Sequence, residues 1–142
     1  SSGIAIASLK RLEKNNKKRK KFLKLLILKM EQNKLVTKPH KFHNGFAPFF
    51  FPLMIDPKKI KCSKNHFFKC LRAEGIDLAI EYPCIISQWK LSQPYIKNQR
   101  SHNAENFKER SSNLFLNENY GKNEVEDIIN ELKKIENIFV KK

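Results

Sequence analysis

The chain has 142 residues, a formal charge of +15 and 40% hydrophobic residues, among them eleven Phe. This length corresponds to one domain or to a piece of a larger protein, and the apolar content excludes a chain that is disordered throughout. The apolar run from Phe22 to Met30 contains Lys24 and Lys29 and is far shorter than the roughly 20 residues that span a bilayer, so no membrane segment is predicted.

The positive charge is concentrated at the start of the chain. Residues 1–41 contain thirteen Lys or Arg against Glu13 and Glu31, a net charge of +11. Two interpretations stay open for the run Lys17–Lys21: a nucleic-acid-binding patch, or a solvated helix face in a Lys-rich composition. No aromatic residue interrupts this run, whereas single-strand binders use aromatic side chains for stacking. Nucleic-acid binding is therefore the alternative function and is not favoured.

The cysteines indicate a reducing compartment. Cys62, Cys70 and Cys84 are an odd number without paired spacing, and no secretory leader precedes them. Free thiols of this kind are typical of a cytoplasmic protein.

A zinc site can be drawn from the same part of the chain. Cys62, His66 and Cys70 are spaced by four residues, and His40 and His43 lie upstream. The spacing fits none of the usual zinc patterns, and Cys62 precedes the expected helix start. Ordinary helix residues are favoured, and no metal is predicted.

The first predicted element is a helix over residues 4–34, which ends before Pro39. Apolar seams at helical spacing occupy both of its ends, whereas residues 13–21 lack apolar side chains. The seam residues are Leu9 and Leu12 at the start and Leu23, Leu26, Ile27 and Met30 at the end. A helix with apolar residues at both ends can pack against two domains, so residues 1–38 are predicted to be an interdomain helix.

A strand, a helix and a second strand follow. Phe46–Ile55 is a buried strand, and Ser63 is the N-cap of a helix that reaches about Ala73. Gly75 ends this helix, and the alternation over Ile76–Tyr82 is typical of a half-buried strand.

The remaining elements complete a layered domain. After a long connection over residues 84–101, the sequence predicts a helix over Asn103–Arg110, a strand over Asn113–Asn117 and a helix over Asn123–Phe139. Residues 39–142 are therefore predicted to form an α+β domain, a small three-stranded sheet covered by helices.

Several strings, in this order and spacing, resemble the C-terminal portion of the DegT/DnrJ/StrS family of sugar aminotransferases. The strings are Ile4–Leu12 with Lys18–Lys20, Phe50–Asp56, Leu71–Asp77, Asn103–Phe107, Asn113–Gly121 and Glu124–Ile129. The resemblance implies a fold-type I enzyme of nucleotide-sugar biosynthesis, with a long interdomain helix and a small domain. It also implies transfer of an amino group from an amino acid, commonly glutamate, to a keto-sugar nucleotide. The implied cofactor is pyridoxal phosphate, and the implied assembly is a homodimer.

The resemblance also implies that this chain is incomplete as an enzyme. The family's Schiff-base lysine lies in a large domain upstream of the long helix, and no lysine of this chain stands in that context. We therefore assign no catalytic residue and no cofactor-binding residue, and we expect no transamination and no covalent cofactor in this chain alone. Three interpretations stay open: a fragment of a longer protein, one chain of a split enzyme, and a degenerate gene product in which Leu9 and Leu12 would be exposed.

The resemblance suggests four substrate-binding residues. Members of the family place His and then Tyr after the second strand, facing the sugar, and the matching positions here are Glu81 and Tyr82. Trp89 and Tyr95 follow in the loop that would border the active-site mouth. Plain core packing is the alternative for Tyr82 and Trp89, because aromatic side chains bury large areas.

Overall fold

The computed structural model describes residues 2–82, 85–96 and 100–141, and these form a mixed arrangement of helices and a small sheet. Its elements in chain order are α1 (Ser2–Gln32), β1 (Lys38–Pro39), β2 (Phe50–Met54), a 3-10 turn (Pro57–Lys59), α2 (Lys64–Ala73), β3 (Leu78–Ala79), a 3-10 turn (Ile86–Gln88), α3 (Gln93–Ile96), α4 (His102–Arg110), β4 (Ser111–Phe115) and α5 (Lys122–Phe139).

The sheet has four antiparallel strands in the order β1–β2–β4–β3. Three strands were predicted, and all three are present; the fourth, β1, was not predicted. Strand β3 is shorter than the predicted span 76–82, and the following Pro83 and Cys84 lie outside the described residues. The fold class is confirmed: a small sheet packed with helices after one long helix.

The core is built from α1, α2, α5 and the sheet, because each contributes apolar side chains that are almost fully buried. The largest of them are Phe51, Phe67, Phe68, Leu23, Leu26, Met30, Leu53, Ile55, Leu71, Leu78, Leu114 and Ile129. The C-terminal half of α1 thus belongs to the core. In its N-terminal half, Ile4 is 76% exposed, Leu9 67% and Leu12 48%. The domain boundary at residue 38 stays a prediction.

Short-range signals place the helix ends. Ser63 Oγ accepts a hydrogen bond from His66 N at 3.2 Å, as an N-cap side chain does. Gly75 has φ +93°, a backbone conformation that residues other than glycine rarely adopt. It follows the end of α2. Glu124 Oε2 accepts from Gly121 N at 2.7 Å at the start of α5. No helix in the described ranges is long and apolar enough to cross a membrane.

Candidate functional site

A polar cleft of about 340 Å³ lies where α2 begins, beside the segment after β3 and helix α4. Its lining residues are Ser63, Lys64, Asn65, Glu81, Gln88, Arg100, Glu105, Lys108 and Glu109. Three cationic and three carboxylate side chains line it, so it carries no net formal charge. Glu81 is therefore brought together with charged residues from distant parts of the sequence.

Lys64 holds the cleft together. Its Nζ donates to the carbonyl oxygens of Ile80 at 3.2 Å, Lys108 at 3.2 Å and Ser111 at 3.3 Å. One side chain thereby joins the start of α2 to the end of β3 and to the α4–β4 junction. Partial burial lowers the pKa of Lys64, with a further lowering by Lys108 and an opposing effect of Glu81.

Several other cleft side chains are paired within the cleft. Glu81 is exposed and accepts a hydrogen bond from Asn65 Nδ2. Lys108 Nζ donates to Gln88 Oε1 at 2.9 Å.

Arg100 and Glu105 form the third pair, with Arg100 Nη2 donating to Glu105 Oε2 at 2.7 Å. The hydrogen bond from Arg100 lowers the pKa of Glu105. Alternating donors and acceptors without net charge suit the hydroxyl groups of a neutral polyol better than a small anion.

The three other predicted site residues do not line the cleft. Tyr82 is 43% exposed, Trp89 49% and Tyr95 85%, so plain core packing of Tyr82 and Trp89 is wrong. Exposed Ile86 and Leu91 lie in the same segment. Tyr82 and residues 85–96 therefore present exposed apolar and aromatic side chains, and this part of the chain adjoins the cleft residues Glu81 and Gln88.

Sequence reasoning missed the cationic side of the cleft. Lys64, Arg100 and Lys108 belong to separate segments, and no local pattern marks any of them. Only the pairing of β3 with β4 brings these segments together, because Leu78 then lies opposite Leu114. Such residues are visible only in the folded chain.

The described residues do not fit a pyridoxal phosphate site of their own. A lysine that forms a Schiff base must present a neutral amine to the cofactor. Within the described ranges, Lys64 is the lysine whose pKa is clearly lowered, and its Nζ is engaged by three backbone carbonyls. It therefore acts as a structural link.

The cysteine and histidine residues in and just before α2 make a different arrangement from a zinc centre. Cys70 Sγ lies 3.6 Å from His66 Nε2, and burial raises the pKa of the Cys62 thiol. Across residues 2–82, 85–96 and 100–141, no three His, Cys, Asp or Glu side chains are grouped closely enough to hold a metal ion. Cys84 lies outside these ranges.

Part of the basic run on α1 is used inside the molecule. Lys17 Nζ lies 2.8 Å from Glu13 Oε1, and Arg19 Nη2 lies 2.7 Å from Glu118 Oε2. Lys20 Nζ donates to the carbonyl oxygen of Asn44 at 2.7 Å. Arg19 in particular serves to hold the β4–α5 loop, residues 116–121, against α1.

Comparisons with known proteins agree with this architecture. No curated protein matches the chain. A solved structure of Helicobacter pylori PseC, an aminotransferase involved in the biosynthesis of pseudoaminic acid, superimposes with a TM-score of 0.74 at 19% sequence identity, which shows a shared fold. The match covers 92% of this chain but only 35% of the PseC chain. The sequence model of one family matches residues 1–133, and the chain therefore belongs to the DegT/DnrJ/EryC1/StrS aminotransferase family.

Proposed function

We propose that residues 39–142 are the C-terminal small domain of a sugar aminotransferase, and that residues 1–38, which contain α1, join it to a large domain. In the whole enzyme, a cytoplasmic homodimer, an amino group passes from an amino acid, glutamate, to a keto-sugar nucleotide. Pyridoxal phosphate is the cofactor, and the lysine that holds it lies outside these 142 residues. This chain alone is inactive.

The observation that carries this proposal is the family match over residues 1–133, on a chain that spans 35% of the PseC structure. The exposed seam of α1 supports it. Ile4, Leu9 and Leu12 are at least 48% exposed although they lie on the same helix as fully buried Leu23 and Leu26. An apolar seam left uncovered in this way is typical of a surface that packs against another domain. We assign the large domain to it.

The polar cleft and the aromatic segment beside it are the proposed substrate side of the small domain. Sugars are bound through hydroxyl hydrogen bonds and through contact of their apolar faces with aromatic rings. Glu81 supplies an acceptor at the mouth of the cleft, and Tyr82, Trp89 and Tyr95 supply exposed rings. The small domain would thus contact the sugar while the large domain supplies the reacting groups.

The test joins this chain to the sequence that precedes it in its gene and measures amino transfer from glutamate to a keto-sugar nucleotide by mass spectrometry. Borohydride reduction followed by peptide mapping then locates the lysine that carries the cofactor. We expect activity in the joined protein, none in the 142 residues alone, and the modified lysine upstream of residue 1. A modified lysine within residues 1–142, or a joined protein without amino transfer, would overturn the proposal.

A further inference from the structure

A second cleft, which we call the α1–α5 cleft, lies between the second half of α1 and the start of α5. Its volume is about 510 Å³, which is within the range of small-molecule sites. Its lining residues are Lys18, Lys21, Phe22, Leu25, Glu118, Asn119, Tyr120, Gly121 and Lys122. The lining thus combines three lysines with an apolar and aromatic wall. It shares no residue with the polar cleft.

The aromatic wall is fixed by contacts on both sides of the loop. Tyr120 packs on Phe22 with ring centroids 5.5 Å apart and an interplanar angle of 53°. Glu118, two residues earlier, accepts from Arg19 Nη2 at 2.7 Å and from Asn15 Nδ2 at 3.3 Å. The loop that carries Tyr120 is therefore held on α1, and the wall is formed before any ligand arrives.

The charge of the cleft is available to a ligand. Glu118 is the carboxylate of the lining, and Arg19 already engages it. Lys18, Lys21 and Lys122 are exposed, and none of them forms an ion pair with a residue of the described ranges. Lys18 acts on the Glu118 carboxylate more weakly than Arg19 does. Three exposed ammonium groups around an apolar wall complement an anion that carries a flat apolar body.

The positive surface continues beyond the α1–α5 cleft. Lys21 also lines a neighbouring depression of about 360 Å³ on α1, together with Lys17, Lys20 and Lys24. A ligand with further phosphates would meet further lysines along the helix. The basic run lacks an aromatic residue in the sequence, but the fold brings Tyr120 to it from about 100 positions away.

We propose that the α1–α5 cleft binds a nucleotidyl group, with the base against Tyr120 and Leu25 and the phosphate on Lys18, Lys21 and Lys122. Base stacking on an aromatic ring combined with phosphate contacts to lysines is the chemistry of nucleotide and single-strand binding. This role goes beyond the proposed aminotransferase activity and needs no cofactor and no large domain.

The experiment is an NMR titration of the ¹⁵N-labelled chain with uridine monophosphate, uridine and inorganic phosphate, and an anisotropy titration with a fluorescent oligothymidylate. The mononucleotide and the oligonucleotide distinguish two possible ligands, a free nucleotide and a nucleic-acid strand. The Gly121 amide signal reports on the cleft, because Gly121 lies in its wall. We expect shifts at Gly121 with the nucleotide or the oligonucleotide, and at most one tenth of that affinity for uridine and for phosphate.

The matched variants carry equal charge changes on one helix. Lys18→Gln/Lys21→Gln removes two lysines of the cleft, and Lys10→Gln/Lys14→Gln removes two lysines of α1 outside it. We expect the first variant to weaken binding at least tenfold and the second less than threefold. For the oligonucleotide, each lost phosphate contact should also lower the slope of log affinity against log salt by about 0.7.

The aromatic contact is tested separately with Tyr120→Leu, which keeps an apolar contact for Phe22. Lys122→Gln, a surface substitution, tests the third lysine of the cleft. We expect a loss on the order of tenfold for Tyr120→Leu, because base stacking on an aromatic ring has that magnitude. Binding of the mononucleotide identifies a free nucleotide as the ligand, and binding of the oligonucleotide alone identifies a strand. Equal affinity for phosphate and nucleotide, equal effects of the two double variants, or no binding at low salt overturns the proposal.

Discussion

The carboxylate of Glu136 and the backbone of Thr37 are joined by a buried hydrogen bond, with Thr37 N donating to Glu136 Oε1 at 2.7 Å. Val36 N donates to the other oxygen at 2.8 Å, and Glu136 is only 8% exposed. The segment between α1 and β1 is therefore anchored to α5 across about 100 residues of sequence. One carboxylate supplies the acceptors that these two N–H groups need.

Replacing Glu136 by Ala is expected to lower the free energy of unfolding by about 2 to 4 kcal/mol, because two largely buried N–H groups then lack acceptors. Glu126→Ala is the control on the same helix. Glu126 lies 2.8 Å from Lys29 and is half exposed, so its loss should change stability by less than about 1 kcal/mol. Urea unfolding measures both variants. Equal effects would mean that the Glu136 contacts contribute little.

The two halves of α1 should respond differently to the same substitution. Leu26 is fully buried, so Leu26→Ala is expected to lower the free energy of unfolding by about 2 to 5 kcal/mol. Leu9 is 67% exposed, so Leu9→Ala should change it by less than about 0.5 kcal/mol. Because Ile4, Leu9 and Leu12 leave an apolar surface exposed, we also expect the isolated chain to self-associate, and sedimentation should show that Leu9→Ala weakens this association. A similar loss of stability in both variants would show that the first half of α1 is packed in solution.

The parts of the fold that could be predicted from the sequence are those with local causes. The Ser63 cap depends on a residue three positions away, and the end of α2 depends on the conformation of Gly75. Strand lengths depend on distant partners instead. β1 exists because Lys38 and Pro39 pair with the end of β2, and β3 is limited to the two residues that pair with β4.

The same distinction between local and distant causes holds for the residues of the two clefts. Glu81 was predicted from the family resemblance, and it does line the polar cleft. Its companion Lys64 was not found, because its three acceptors lie 16 to 47 residues away in the sequence. The contact between Phe22 and Tyr120 was missed for the same reason. A sequence pattern shows neighbours along one element, whereas both clefts are formed between elements.

The loop that carries Tyr120 should become less stable in acid. A hydrogen bond from its own backbone N–H, followed by one from Arg19, lowers the pKa of Glu118 below the ordinary value of 4.5. A carboxylate with a lowered pKa contributes stability above the unfolded value, and this contribution disappears as the pH falls through the folded value. The difference in stability between the wild type and Glu118→Gln should therefore be constant above about pH 5 and shrink below pH 4.5.

Urea unfolding of both proteins over this pH range measures the effect of Glu118. High salt is the control, because the Arg19–Glu118 pair is only partly buried and screening at about 1 M ionic strength should reduce the contribution of Arg19. A difference that grows as the pH is lowered would contradict the assignment of a lowered pKa to Glu118.

Glu81 provides the most direct test of the substrate side of the small domain. In the whole enzyme, Glu81→Gln is expected to weaken the binding of a keto-sugar nucleotide by at least about tenfold, because a hydrogen bond to a charged acceptor is worth about 1.5 to 3 kcal/mol. The affinity for glutamate should not change. The chain contains a single Trp, Trp89, which is 49% exposed in the adjacent segment, so its fluorescence can follow sugar binding.

Glu74→Gln is the matched control for Glu81→Gln. Glu74 pairs with Lys134 at 2.5 Å and does not line the polar cleft, so its replacement should leave sugar binding unchanged. If Glu81→Gln and Glu74→Gln have the same affinity for the sugar, Glu81 does not contact it. A loss of affinity for glutamate alone would instead assign the polar cleft to the amino donor, because its cations could then bind a carboxylate.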